Sequence, residues 1–165
     1  MHPRARTLID RLGMTPHPEG GYYVETYRSA DTVTTARGAA RSALTTIYFL
    51  LAGGGFSRWH RVAADEAWHF YEGAPLVLRW ATADGERLAE RVLGALATDG
   101  SGDGAAPVHV VPSGCWQTAE TSGDYTLVGC TVGPGFDFAD FELLRDRHAE
   151  RARLVARHPQ SARWL

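Results

Sequence analysis

The sequence predicts an all-β fold, a sandwich or barrel of short antiparallel strands with a helix near each end. Three observations carry this reading. From residue 43 onward, runs rich in β-branched and aromatic residues follow one another: ALTTIYFLL, FSRWHRV, AWHFYEG, PLVLRWAT, ERLAERVL, VHVVPSG, WQTAE and YTLVGCTV. Turn signals separate them at GGG (53–55), AAD (63–65), EGAP (72–75), ADG (83–85), TSGD (121–124) and GPG (133–135). Helical periodicity is confined to the two ends, which argues against a parallel α/β sheet.

Taken in order, RARTLIDRLG (4–13) places Leu8, Ile9 and Leu12 at helical spacing and stops on Gly13. MTPHPEGG combines two prolines with a glycine pair and is read as an irregular arm. YYVETYRS then alternates as a strand, with Tyr23, Glu25 and Tyr27 on one face and Arg28 following. These four residues either cap a barrel mouth, pair across a dimer, or form an edge strand with a polar outer face. TDGSGDGAA (98–106) reads as a loop; a calcium site there lacks the ordered carboxylates and closing glutamate of an EF-hand. Residues 138–157 carry Phe138, Phe141, Leu144 and Leu154 in a partly amphipathic helix that breaks at Pro159.

The chain's 165 residues fit one domain, with a barrel core at about 22–136. Seventeen basic against nineteen acidic residues give a formal charge of −2, which offers no field for nucleic acid or an anionic membrane. Cys115 and Cys130 form no Cys-x-x-Cys pair and are read as reduced thiols. The start lacks the apolar run of a signal peptide and no stretch approaches a membrane span, so the cytoplasm is the expected location.

Chemistry concentrates in FSRWHRVAADEAWHFYEG (56–73). An imidazole beside a carboxylate in a dry cavity serves as a general base, because the carboxylate fixes its tautomer and stabilises the imidazolium. The plainer alternative is that His60 is hydrogen-bonded to Glu66 with no catalytic role. If Glu66 points inward, Trp68 and Phe70 share its face, whereas Ala67, His69 and Tyr71 point outward unless a bulge intervenes. Trp59, Trp68, Phe70, Trp80 and Trp116 are either core or the aromatic wall of a ligand cavity.

Gly54, His60, Glu66 and Gly73 are separated by five, five and six residues, a ladder that resembles the first motif of the cupin superfamily. The second motif of that superfamily, proline, any residue, glycine, two residues, histidine, resembles VPSGCWQ, with Pro112 and Gly114 in place and Gln117 where the histidine stands. HPEGGYYVETYRS, IYFLL and GCTVGPGFDFADFELL extend the likeness to an uncharacterised branch of bacteria and fungi, cupin family five. The resemblance implies a jelly-roll barrel with an internal cavity, a homodimer, and similarity to epimerases of dTDP-linked deoxysugars and to seed storage proteins.

On this reading the candidate catalytic residues are His60, Glu66 and His69, and the candidate ligand contacts are Ser57, Trp68, Phe70, Trp116 and Gln117. Two departures from the metal-binding pattern stand out: Val62 replaces the second histidine of the first motif, and Gln117 the histidine of the second. A site of His60, Glu66 and Gln117 would take iron, nickel, manganese or zinc. The expected activity is proton transfer on a sugar or sugar nucleotide; the alternatives are a metal-dependent oxygenase or isomerase and a non-catalytic binder of a small ligand.

Overall fold

The computed structural model describes residues 1–96 and 104–165. Most of the TDGSGDGAA stretch lies outside the described residues. The fold opens with a helix, α1 (Pro3–Leu12), capped by the His2 ring on the Arg4 N–H at 3.2 Å and closed by Gly13 at φ +64°. The strands follow: β1 (Thr15–Pro16), β2 (Tyr22–Arg28), β3 (Thr32–Thr34), β4 (Ala40–Ser42), β5 (Thr45–Ala52), β6 (Phe56–Arg61), β7 (Asp65–Gly73), β8 (Leu76–Ala81), β9 (Leu88–Leu93), β10 (Val108–Val111), β11 (Trp116–Thr121), β12 (Tyr125–Gly133) and β13 (Glu142–Leu143). A second helix, α2 (His148–Arg157), lies near the C-terminus.

The ladders are antiparallel and form two main sheets, β1-β2-β5-β12-β7-β10 and β13-β6-β11-β8-β9, with β3-β4 as a separate hairpin. Between the sheets lies a core of Phe49, Leu51, Trp68, Leu76, Leu78, Leu93, Val111, Ala119, Val128 and Cys130. The outer face of the six-stranded sheet is covered by α1 through Ala5 and Leu8 against Leu50 and Leu127. The all-β architecture with short terminal helices is therefore present, and β3 and β4 are additions that the sequence patterns did not reveal. The arm read as irregular begins with β1, where Thr15 and Pro16 pair with Tyr23 and Tyr22 at the sheet edge that tolerates a proline.

The C-terminal segment differs from the continuous helix expected over 138–157. Phe138–Asp140 is a single 3-10 turn, Glu142 and Leu143 pair with β6, Leu144–Asp146 is a second 3-10 turn, and only then does α2 begin. The reason is tertiary: an open edge of β6 offers ladder bonds to Glu142 and Leu143, and those bonds override a weak helical period.

Two aromatic clamps hold this segment against the five-stranded sheet. The Arg61 guanidinium lies 4.4 Å from the Trp116 ring, binds Glu142 and Glu150, and the Trp116 indole donates to Glu150 at 3.1 Å. The Arg79 guanidinium lies 4.3 Å from the Trp164 ring and binds Glu90 and Glu120, and the Trp164 indole donates to Glu120 at 3.2 Å. Cation–π contact and hydrogen bonding thus share the same charges, and Leu144, Leu154 and Trp59 fill the space between the clamps. Leu154→Ala should lower unfolding free energy by about 2–5 kcal/mol in urea titration; a loss below about 1 kcal/mol would show that α2 is not part of the packed core.

Candidate functional site

Strand alternation decides which side chains enter the barrel. On β6, Trp59 faces α2 and the neighbouring His60 faces inward. On β7, Glu66 faces inward, and the register with β12 stays regular until a shift between Leu127 and Val128 leaves Tyr71 as the extra residue. That bulge falls beyond His69, so His69 keeps the face opposite Glu66 and does not line the cavity. On β11, Gln117 faces Glu66, which turns Trp116 outward beneath Arg61.

A cavity of about 320 Å³ opens between the sheets. Its floor and one wall carry His17, Glu19, His60, Glu66 and Cys130; Tyr23, Phe49, Phe136, Phe138 and Phe141 form aromatic walls; Glu25, Arg28 and Asp137 complete the lining with smaller residues. Phe141 stacks on His60 at 5.6 Å between centroids, and Phe138 stacks on His17 at 6.0 Å.

The position of Glu19 depends on the irregular arm. His17 accepts Gly20 and its own N–H donates to the Gly21 carbonyl, both at 3.0 Å, so HPEGG is a tight turn. Gly20 sits at φ +113°, and a Cβ there would meet the Phe56 carbonyl oxygen at 2.5 Å, so only glycine fits where the turn presses against β6. The turn delivers the 5% exposed Glu19 to His60: Glu19 Oε2 is 3.4 Å from His60 Nε2 and 3.2 Å from His17 Nδ1.

The carbonyl of Arg58, 2.8 Å from His60 Nδ1, can only accept, which assigns the hydrogen to Nδ1. Ser57 Oγ lies 3.1 Å from the same nitrogen. His60 Nε2 is therefore the atom turned toward Glu19 and the cavity. Ser57 itself is fully buried and orients the imidazole, and it is not part of the cavity wall.

Glu66 lies deeper. Gln117 Nε2 donates to Glu66 Oε2 in a short bond, and Gln117 Oε1 accepts from the Trp68 indole at 3.1 Å. The two buried carboxyl groups are driven apart in acidity. For Glu19, burial raises the pKa, but attraction to the imidazolium form of His60 and the bond and attraction to His17, with Ser57, overcome it and hold the group below its ordinary value. For Glu66, burial raises the pKa, His60 and Gln117 counter it only in part, Glu19 adds repulsion, and the group is held above its ordinary value. Burial likewise pushes the Cys130 thiol well up, with Glu66 and Glu19 reinforcing it. The thiol remains protonated and is not a nucleophile at rest.

The predicted residues thus separate. His60, Glu66 and Gln117 converge. Trp68 is 1% exposed and acts as the donor that orients Gln117, while Phe70 packs against the central core; neither lines the cavity. Trp116 belongs to the outer clamp because adjacent residues of a strand point to opposite faces. Missed by sequence reasoning were His17, Glu19 and Cys130. Their motif HPEGG is informative only once its turn is seen to reach His60.

The strand β2 supplies the mouth. Its ladder with β5 shifts between Glu25 and Tyr27, which makes Thr26 the extra residue. Arg28 is thereby brought to the Glu25 face, where it binds both carboxylate oxygens at 3.0 and 2.7 Å, and Tyr27 is turned out to solvent.

The proposed metal set does not fit the donors present. Gln117 uses its carbonyl oxygen on Trp68 and its amide on Glu66, Val62 supplies an alkyl group to the cavity, and Glu66 is biased to its protonated form. Among the described residues, no group of three or more His, Cys, Asp or Glu has the arrangement of a metal site, and no helix is long and apolar enough to cross a membrane.

Because the native Glu66 pKa lies above that of the unfolded chain, the native state holds more protons between the two values, and stability falls as pH rises through that interval. Glu66→Gln retains an acceptor for Gln117 and should lose this decline. Melting curves of both proteins between about pH 5 and pH 8 check it; parallel curves would show that Glu66 is already ionised in the native state.

Comparison with known proteins gives the following. A family model described as Cupin superfamily (DUF985) matches residues 6–144. A hypothetical protein from Leishmania major is similar in structure at a TM-score of 0.79 and 34% identity, over 94% of this chain and 93% of that one. A protein from Shewanella oneidensis has a TM-score of 0.79 and 35% identity, over 94% of this chain and 90% of that one. The capsular polysaccharide assembling protein CapF of Staphylococcus aureus shares the fold at a TM-score of 0.56 and 15% identity, over 79% of this chain and 31% of that one. Oxalate decarboxylase of Bacillus subtilis does so at 0.56 and 15%, over 81% and 30%. No match is found among the curated proteins.

Proposed function

The chain belongs to the Cupin superfamily (DUF985) family, and from that premise we propose that it catalyses proton transfer on a small polar substrate, an epimerisation or isomerisation at carbon next to a carbonyl. The observation that carries this reading is the pairing of His60 Nε2 with Glu19 at 3.4 Å, inside a cavity whose second carboxyl group, Glu66, has the opposite protonation preference. Two acids with pKa values pushed apart provide an acid and a base at one pH.

In this mechanism the base is His60. Its Nδ1–H is held by the Arg58 carbonyl, its Nε2 takes the proton from carbon, and ionised Glu19 stabilises the imidazolium that forms. The electron pair of the broken C–H bond moves to the carbonyl oxygen, and the proton of Glu66 supports the developing enolate. Return of a proton from Nε2 to the same face of the same carbon gives only hydrogen exchange with solvent. Return to the neighbouring carbon, with Glu66 giving its proton to the former carbonyl oxygen and taking the hydroxyl proton of that neighbour, completes an isomerisation. Epimerisation requires the planar enolate to present its other face to the proton donor. Cys130 beside Glu66 stays protonated and adds no charge to that corner.

A cavity of about 320 Å³ suits a molecule of monosaccharide size, and aromatic walls suit a sugar ring. The capsular polysaccharide assembly named for CapF is in keeping with a sugar, although that likeness rests on fold. The single arginine of the lining is bound to Glu25, which favours a free sugar over a nucleotide diphosphate.

The test is solvent hydrogen exchange in deuterated buffer, followed by proton NMR on a panel of aldoses and ketoses. The native protein should catalyse incorporation at the carbon next to the carbonyl, and His60→Gln should slow it about 10²–10⁴-fold with the melting temperature retained. Undiminished exchange in the variant would sink the proposal.

A further inference from the structure

The mouth of the cavity carries a charge imbalance beside a cluster of aromatic rings. Of the cavity's lining residues, two carboxylates, Glu25 and Asp137, stand there with one guanidinium, Arg28. Arg28 is bound to Glu25 through both oxygens, and Arg41, outside the lining, is bound to Asp140 at 2.7 and 3.0 Å. Both arginines feel the charge of Asp137, but each is already bound to another carboxylate. Deeper in the cavity Glu19 lies against the rings of His60 and His17. At the mouth, Asp137 is therefore the carboxylate that no guanidinium of the lining binds; it lines the cavity and caps the 3-10 turn through one oxygen on the Ala139 N–H at 2.8 Å.

The same short segment supplies three phenyl rings. Phe136, Phe138 and Phe141 have centroids 5.0, 6.1 and 6.1 Å apart, all three line the cavity, and Phe138 is 52% exposed at its mouth. An aromatic ring this exposed has a face open to a ligand. Ring faces attract cations through their quadrupole and attract neutral sugars only by contact and dispersion. An unmatched carboxylate and several aromatic faces at one opening form the recognition chemistry of an organic ammonium group.

We propose that the substrate of this cavity carries an ammonium group, held between Asp137 and the rings of Phe136, Phe138 and Phe141. The inference rests on the proton-transfer reading for the location of the site and narrows its substrate class to amino sugars and molecules of that kind. Asp137 and Phe138 are then specificity residues that touch the ligand at the mouth, while His60 and Glu66 act on its carbonyl end.

Binding is measured by titration calorimetry on the full chain with tetramethylammonium, glucosamine, glucose, N-acetylglucosamine and glucuronate as probes. Tetramethylammonium should bind, and glucosamine should bind at least about tenfold more tightly than glucose, N-acetylglucosamine or glucuronate. Asp137→Asn preserves the cap on Ala139 and removes the charge; it should weaken both ammonium probes about tenfold, as should Phe138→Leu, with melting temperatures retained. Equal or tighter binding of glucuronate or glucose, absence of tetramethylammonium binding, or unchanged affinity in Asp137→Asn would overturn the inference. The two readings fail separately: ammonium binding without hydrogen exchange refutes only the chemistry, and exchange on sugars regardless of charge refutes only the ammonium site.

Discussion

A buried hydrogen-bonded chain from Trp68 through Gln117 to Glu66 is the constraint around which the site is arranged. Trp68 and Glu66 come from β7 in one sheet and Gln117 from β11 in the other, so the chain ties the two sheets across the barrel floor. An amide is suited to this place because it donates at one end and accepts at the other. Tied at both ends, it holds Glu66 in one orientation. It also commits the oxygen that a metal would need, and so a residue at the position of a metal ligand becomes a structural bridge.

The bridge permits the separation of the two carboxyl groups. Glu66 is surrounded by Gln117, Cys130 and hydrocarbon, where its charge is poorly solvated, while Glu19 is met by two imidazoles and stays ionised. Were both carboxyl groups given the same partners, nothing would fix which of the two keeps the proton. The arm that brings Glu19 is strand only at Thr15–Pro16, and its turn is tied to the barrel by Gly20 against Phe56 and by the Arg58 N–H bonding the Glu19 carbonyl at 2.7 Å. The catalytic candidates therefore sit on a rigid wall, and the aromatic rings facing them come from the segment that follows β12.

That segment connects the mouth to the rest of the molecule. Arg28 donates to the Phe136 carbonyl at 3.1 Å and Arg41 holds Asp140, so both a strand of the main sheet and the β3-β4 hairpin position the phenylalanines. Beyond them β13 joins the edge of β6, and α2 closes the outer face through the two arginine–tryptophan clamps. Edge pairing here covers backbone groups that would otherwise face solvent as an open template.

The sequence alone determined the all-β class and, through period-two alternation, that Glu66 and His69 take opposite faces of one strand when no bulge intervenes, because turn residues and alternation are local properties. That Glu66 is the inward one, and that the bulge falls beyond His69, was decided by the ladder with β12. The likeness of its glycine, histidine and glutamate ladder carried the barrel architecture. It did not reveal that Glu19 rather than Glu66 faces His60 Nε2, since a 41-residue separation between Glu19 and His60 is closed only by packing of the HPEGG turn on β6. Nor could it place Arg28 beside Glu25, because the bulge at Thr26 reverses the alternation and arises from the ladder with β5. Tertiary structure alone decided that Trp116 is an outer clamp, that Gln117 turns its oxygen to Trp68 and its amide to Glu66, and that residues 138–147 are edge and turn instead of helix. In each case the partner lies far along the chain, and a side chain's chemistry depends on which partner satisfies it.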